Sequence, residues 1–304
     1  MKSTLFVLCL LAPACVFGQI NFDGLAPLSF LGTTLSSTSP LVNESHEPLA
    51  NLDLAAINSA NPKIHSWAAM DVKSGKWMGS NARSKPRSVA STIKLAVVNA
   101  MLREIRDGRV SADDVLVVKG SNDQSYDGEP IGQKYTVRKA IYHTLYRSSN
   151  TAPNLLAIRM GGLRGTKAKL DEMGYGSTEY NYLSSIKRTE WAQSPGSTAR
   201  NMAMVAHDFY NTYRHVLGLG SGSPWDGFSH AKDMIKADGH ETLGGKIGSN
   251  SLSATNTGLF NVAGRVYAIV VFSEENGLVN NYAADKYLNK ASTDIANAIA
   301  TAGE

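Results

Sequence analysis

The sequence predicts an α/β fold in which a discontinuous domain, assembled from both ends of the chain, holds an all-helical insert. Three observations carry this. A strand–turn–strand signal comes first, near residues 64–80. A middle stretch follows whose apolar residues recur at helical spacing, and then two β-rich runs lead into a last amphipathic helix. The chain has 304 residues, and about 285 remain past its N-terminal leader, enough for one large domain or two intimate ones.

Taken in order, the chain opens with a basic tip at Lys2 and an apolar run from Leu5 to Gly18 that is too short to span a membrane. Residues 1–18 therefore read as a secretory signal peptide. Val16 and Gly18 stand as the small residues before a cut near Gln19. The expected location is periplasmic or secreted. Acylation at Cys15, which would make a lipoprotein, is the second reading, and Ala12-Pro13-Ala14 suits it poorly. Both cysteines, Cys9 and Cys15, lie in this leader, so the exported chain would hold neither a disulfide nor a thiol nucleophile. Residues 19–50 are rich in Ser, Thr, Pro, Leu and Asn without a sustained period and read as a linker. The folded domain is expected over 51–304, its α/β part about 51–88 and 235–304 and its helical part about 89–234.

Within that domain, residues 51–58 are a candidate first helix. Ile64–Val72 and Lys76–Ser80 form a hairpin about Lys73-Ser74-Gly75. An apolar helix runs through Lys94 to the stop at Asp107-Gly108, and Val115–Val118 is a short strand. Residues 120–132 are a polar loop. Helices are expected over Thr136–Tyr146, Thr151–Met160, Lys167–Met173 and Thr198–Val216, with a break at Gly218–Pro224. The β-rich runs are Thr242–Phe260 and Asn261–Phe272, and Tyr282–Ala302 is the closing helix.

Thirty basic residues against twenty-six acidic ones are a mild excess, spread along the chain. That argues against nucleic acid as a partner and is only weakly compatible with anionic cell-envelope polymers. The seven histidines show no metal-ligand spacing, so neither a metal nor another cofactor is expected. No apolar run after the leader approaches membrane-spanning length, and nothing demands more than a monomer.

Three short patterns carry chemistry. Ser91 and Lys94 stand three apart at the start of the apolar helix, where a hydroxyl and an amine share one face. A lysine amine whose pKa is lowered by burial and by positive neighbours can take a serine proton, and the N-H groups of a helix start can stabilise an oxyanion. A solvated helix start is the plainer reading of that pair. Ser148 and Asn150 lie on a loop between two helices, where a hydroxyl can relay a proton and an amide can bond both a lysine and a substrate. A helix cap is the other reading there. Lys246 and Gly248 sit at a strand edge, where glycine permits close approach to backbone and an edge offers N-H groups to an extended substrate. A turn with a solvated lysine is the alternative.

Together, Ser-x-x-Lys, then Ser-x-Asn 57 residues on, then Lys-x-Gly a further 98 on, resemble the penicillin-recognising serine hydrolases, above all the class A β-lactamases. The words around Arg147–Leu156 and Ser197–Ala203 look like family sequence too, and the resemblance spans about residues 50–300. It implies an antiparallel sheet flanked by helices plus a helical domain, with the site in the cleft between them. It implies Ser91 as nucleophile, Lys94 as its base, and Ser148 with Asn150 across the pocket. Lys246 would complete the electrostatics and hold a substrate carboxylate. The backbone N-H groups of Ser91 and Ser249 would form the oxyanion hole. Tyr126 falls where the family often has an aromatic at the pocket rim, with a surface tyrosine as the alternative.

The chain also departs from the family. Ser149 replaces an aspartate. Ile247 replaces the usual Thr or Ser, for which Ser249 or Asn250 would substitute. Before Ser197, class A enzymes carry a Glu-x-x-Leu-Asn whose glutamate activates the deacylating water. Here the stretch reads Arg188-Thr-Glu190-Trp-Ala-Gln-Ser-Pro195, with Glu190 the best candidate, Glu179 a second and a surface glutamate the plainer reading. The first expectation is a serine hydrolase that opens β-lactam rings. The second is a D,D-peptidase or transpeptidase acting on peptidoglycan stem peptides, and the third is a slow envelope-binding protein that keeps the cleft.

Overall fold

The spine of the molecule is a five-stranded antiparallel sheet in the order β2 (Trp77–Ser80), β1 (Ser66–Asp71), β9 (Arg265–Glu274), β8 (Ser253–Val262), β7 (Glu241–Ser249). The computed structural model describes residues 52–83, 86–120, 129–176, 178, 196–217, 235–249, 253–274 and 281–302. All of these lie in one compact unit, Ser39–Glu304. Both faces of the sheet are apolar, because successive side chains alternate faces. In β1, Ala68 and Met70 point into one cluster while Trp67 and Ala69 point into the other, and in β9 Val270 and Phe272 oppose Ile269 and Val271 in the same way. A sheet with two apolar faces must be covered twice.

One face is covered by α1 (Leu54–Ala60) and the closing helix α7 (Asn281–Ala302). Leu288, Ile295 and Ile299 seat α7 on that face. The other face meets α6 (Ala199–Asp208) and, beyond it, α2 (Ile93–Arg106), α3 (Val137–Leu145), α4 (Thr151–Arg159) and α5 (Gly162–Glu172). Every residue of α2 from Ile93 to Leu102 is buried. A helix buried on all sides belongs at the centre of a helical layer, and α2 is the post around which the others pack. Side-chain caps start several helices where the sequence offers them. Asp53 Oδ1 accepts from Ala56 N at 2.9 Å, Thr136 Oγ1 from Lys139 N at 3.1 Å, and Thr198 Oγ1 from Asn201 N at 3.2 Å.

The structure bears out the antiparallel sheet flanked by helices and corrects some of the expected elements. The middle block is not purely helical. Val115–Val117 (β4) pairs with Lys134–Thr136 (β5), and Arg87–Ser88 (β3) pairs with Gly196–Ser197 (β6). Helix α5 begins five residues earlier than Lys167, because Gly161, at φ 97°, turns the chain directly from α4 into it. The glycines at 162 and 165 hide that start, being poor helix formers that add nothing to an apolar stripe. The helix expected over Thr198–Val216 is regular only to Asp208, then widens into a π-turn at Phe209–Tyr213 and tightens into a 3-10 turn at Arg214–Leu217. The run Thr242–Phe260 is two strands, and β8 extends to Val262 before the Ala263-Gly264 turn into β9. The signal peptide, the 19–50 linker and the Gly218–Pro224 break lie outside the described residues.

Candidate active site

The site is built where α2 begins, against the edge strand β7 and the turn between α3 and α4. Ser91 is half-buried in a 3-10 turn, Ala90–Thr92, that feeds α2. It therefore precedes the α-helix proper, whereas Lys94 lies in the first turn of α2 and is 1% exposed. The turn is tight because Ala90 takes φ 43°, a left-handed conformation uncommon for a residue with a Cβ.

Lys94 Nζ donates to Ser148 O at 2.6 Å and to Asn150 Oδ1 at 2.7 Å, and it lies 3.3 Å from Ser148 Oγ. Lys246, on β7 and 1% exposed, donates to the same Ser148 Oγ at 2.9 Å and to Ile247 O at 3.1 Å. Two lysines, one from α2 and one from β7, thus converge on one hydroxyl. Burial strips water from the Lys246 ammonium and brings its pKa down from 10.5 to about 8.

The cap reading for the Ser148–Asn150 loop falls to the neighbouring residue. Asn150 occupies the cap position of α4, yet its side chain makes no cap hydrogen bond. Ser149 Oγ accepts from Ala152 N at 3.2 Å instead. That leaves the Asn150 amide to face Lys94. Ser148 itself is held at φ 51°.

Gly248 explains its own identity. A Cβ there would stand 2.6 Å from Val89 O, 2.8 Å from Ser91 N and 2.9 Å from Thr92 N, all backbone atoms that cannot swing aside. Only glycine lets β7 lie against the Ser91 turn. This contact brings the Ser91 N-H beside the strand whose next residue is Ser249, which is exposed at the end of β7.

Ile247 packs against the cluster beneath α7, so its side chain belongs to the core on the far face of the sheet. Tyr126, Glu190, Glu179 and Asn250 lie outside the described residues. Among the described residues no group of acidic residues, histidines or cysteines could hold a metal ion, and no helix is long and apolar enough to cross a membrane.

Sequence reasoning missed several residues of this site. Thr92 Oγ1 donates to Val89 O at 2.6 Å, and Thr255 Oγ1, from β8, donates to the same carbonyl at 3.1 Å. Glu129 accepts from Thr151 Oγ1 at the start of α4 and, at 3.4 Å, from the Tyr135 hydroxyl. The Thr92 contact was open to inference, since threonine three residues after an available carbonyl readily bonds back to it. The partners of Thr255 and Glu129 depend on the tertiary fold.

The fold and this constellation define a penicillin-recognising serine hydrolase architecture. The chain belongs to the β-lactamase enzyme family, whose profile matches residues 50–299. Among solved structures it is similar to PBP-A, at 16% identity and a TM-score of 0.65 over 84% of this chain and 97% of that one. It is equally similar to the TLA-1 extended-spectrum β-lactamase, at 16% identity and a TM-score of 0.65 over 81% of this chain and 99% of that one. A class A β-lactamase from Bacteroides cellulosilyticus follows, at 16% identity and a TM-score of 0.63 over 81% and 96%. No curated protein matches the chain.

Proposed function

We propose that this protein is an exported serine hydrolase that opens β-lactam rings through an acyl-enzyme on Ser91. The observation that carries the reading is the convergence of Lys94 and Lys246 on the Ser148 hydroxyl, with Asn150 beside it. In its neutral form Lys94, oriented by Ser148 O and Asn150 Oδ1, takes the Ser91 proton. Ser91 Oγ then attacks the lactam carbonyl. The oxyanion that forms is met by the N-H groups of Ser91 and Ser249, aimed at charge that develops only in the transition state.

Collapse breaks the C–N bond, and the departing nitrogen needs a proton. With Lys246 donating to its oxygen, Ser148 has its own hydrogen to give, and Lys94 returns the proton taken from Ser91 to Ser148. Water hydrolyses the ester, so that the net change is the addition of one water across the ring amide. The Lys246 ammonium attracts the substrate carboxylate. Export rests on the basic tip and short apolar run of residues 1–18.

A D,D-peptidase acting on peptidoglycan stem peptides is the second reading, and the stretch around Glu190 favours it, since it lacks the Glu-x-x-Leu-Asn pattern. A substituted PBP-A captured as an acyl-enzyme with penicillin G is among the similar structures. Intact mass against time after mixing with benzylpenicillin, beside Ser91→Ala, separates the two. A Ser91-dependent adduct that forms and clears over many turnovers is the expected result. An adduct that persists for hours moves the assignment to the peptidase, and no adduct from penicillin or a cephalosporin overturns both.

A further inference from the structure

The turn that presents Ser91 is held by a residue far away in sequence. Val89 O accepts from Thr92 N at 3.0 Å, from Thr92 Oγ1 at 2.6 Å and from Thr255 Oγ1 at 3.1 Å. Thr255 Oγ1 also lies 3.3 Å from Gly248 O and 3.3 Å from Thr92 Oγ1. Val89, Thr92 and Thr255 are each fully buried. Gly248 and Thr255 are cross-strand partners in the β7–β8 ladder, so the hydroxyl sits beneath the point where β7 meets the Ser91 turn.

The geometry has a direct mechanical meaning. The carbonyl of Val89 and the nitrogen of Ala90 belong to one rigid peptide plane. Turning that plane changes ψ of Val89 and φ of Ala90 together. Whatever fixes the direction of Val89 O therefore fixes Ala90 at φ 43°. Released, the plane would rotate and let Ala90 relax towards the negative φ that a residue with a Cβ prefers. Rotation would also turn Val89 O away from Gly248, whose missing Cβ makes room for it. The Ser91 N-H, one residue further on, would lose its aim relative to β7.

We infer that Thr255 is a positioning residue for the oxyanion hole, its hydroxyl tying the Val89 carbonyl to β7 so that the Ser91 N-H and the end of β7 keep one register. Thr92 bonds the same carbonyl from within the turn, and such a local bond moves with the turn. Thr255 reaches it from the sheet, and so it couples the nucleophile to the strand that completes the site. The inference rests on the acyl-enzyme reading for its consequence in rate, and on geometry alone for its consequence in the turn.

The test compares Thr255→Val, which keeps the shape and removes the donor, with Thr255→Ser, which keeps the donor. Stopped-flow acylation by benzylpenicillin gives the first-order acylation rate and the pre-covalent dissociation constant separately. A fluorophosphonate, which phosphonylates an activated serine and needs no lactam, gives a second rate on the same proteins. Thr255→Val is expected to slow both reactions by about tenfold to a hundredfold, with the pre-covalent dissociation constant within threefold of wild type. Thr255→Ser is expected to recover most of the lost rate. A generally loosened structure would weaken pre-covalent binding as well and would not be repaired by the smaller serine.

Thr255→Val reacting at the wild-type rate overturns the inference, as does Thr255→Ser reacting as slowly as the valine variant. Should the valine variant fail to fold, Thr255→Ala and Thr255→Ser carry the comparison, and equal rates in those two overturn it. If wild type reacts with the fluorophosphonate but not with any β-lactam, the substrate reading falls and the fluorophosphonate rates alone decide the role of Thr255.

Discussion

Two walls of the candidate site are each built on a residue in the left-handed region, and they are held there by different chemistry. Ala90, at φ 43°, stands in the turn that presents Ser91, and neutral groups grip its neighbour, the Val89 carbonyl. Ser148, at φ 51°, stands on the opposite wall, and Lys94, a titratable group, grips its carbonyl at 2.6 Å. The first wall keeps its shape whatever the protonation state of the site. The second is shaped by the group proposed to move the proton, so structure and chemistry there cannot be removed separately.

Removing Lys94 sharpens that contrast most. Lys94→Ala deletes the base and the donor to both Ser148 O and Asn150 Oδ1. A fall in acylation rate of about a thousandfold or more is expected. Amide exchange should also quicken at Ser148 and Ser149 while the Ser91 turn keeps its protection. Equal loosening of both walls, or of neither, would break the comparison.

Lys246 bears on the same wall through pH. Its pKa, lowered to about 8 by burial, means that the ammonium needed to attract a carboxylate is lost as pH rises through about 8, so the substrate KM should climb there. The stability sign is opposite to that of a favourable ion pair. Between pH 8 and 10.5 the unfolded chain binds the proton more readily than the folded one, so unfolding free energy rises with pH across that window. At neutral pH the buried ammonium costs on the order of 3 kcal/mol. Lys246→Met should therefore lose activity, and its stability relative to wild type should be greatest near pH 7 and shrink towards pH 10. Denaturant unfolding of both proteins at several pH values checks this, and a gap that widens with pH would reverse the assignment.

On the neutral wall, Gly248→Ala forces a methyl within 3 Å of three backbone atoms of the Ser91 turn. Overpacking against backbone of this kind costs about 1–3 kcal/mol. Acylation should slow about tenfold, because the strand and the turn must move apart, while the Lys94–Ser148–Asn150 contacts survive. Unfolding midpoints and acylation rates give both numbers, and an alanine variant that acylates at the wild-type rate would mean that the close approach has no part in presenting Ser91.

The legible part of this molecule is the part written in local patterns. The hairpin at residues 64–80, the apolar helix behind Ser91 and the last strand could be read directly, because each rests on a period or a turn residue. Ser91, Lys94, Ser148, Asn150 and Lys246 could be picked out only as three spaced motifs, and the structure brings Lys94, Ser148, Asn150 and Lys246 into one hydrogen-bonded group. What stayed hidden depends on strand register and chain crossing. No local rule places Thr255 under Val89, since 166 residues separate them. The first turn of helix α5 is hidden in the sequence because its glycines serve the turn from α4 and contribute nothing to an apolar stripe.

The smallest expected effect concerns which residue of the charged wall caps its helix. Ser149 Oγ accepts from Ala152 N at 3.2 Å, while Asn150, at the cap position itself, turns its side chain to Lys94. The two side chains have divided the tasks of one loop between them. Ser149→Ala should cost about 1 kcal/mol of stability and slow acylation by less than about threefold, because the Asn150 amide still meets Lys94. Asn150→Ala should do the reverse, changing stability little through capping and slowing acylation strongly by taking away an acceptor of Lys94. Parallel thermal melts and acylation rates on the two variants give four numbers. If Ser149→Ala were the slower enzyme and Asn150→Ala the less stable protein, the loop would be a cap first, and the charged wall would have no claim to having been shaped by its chemistry.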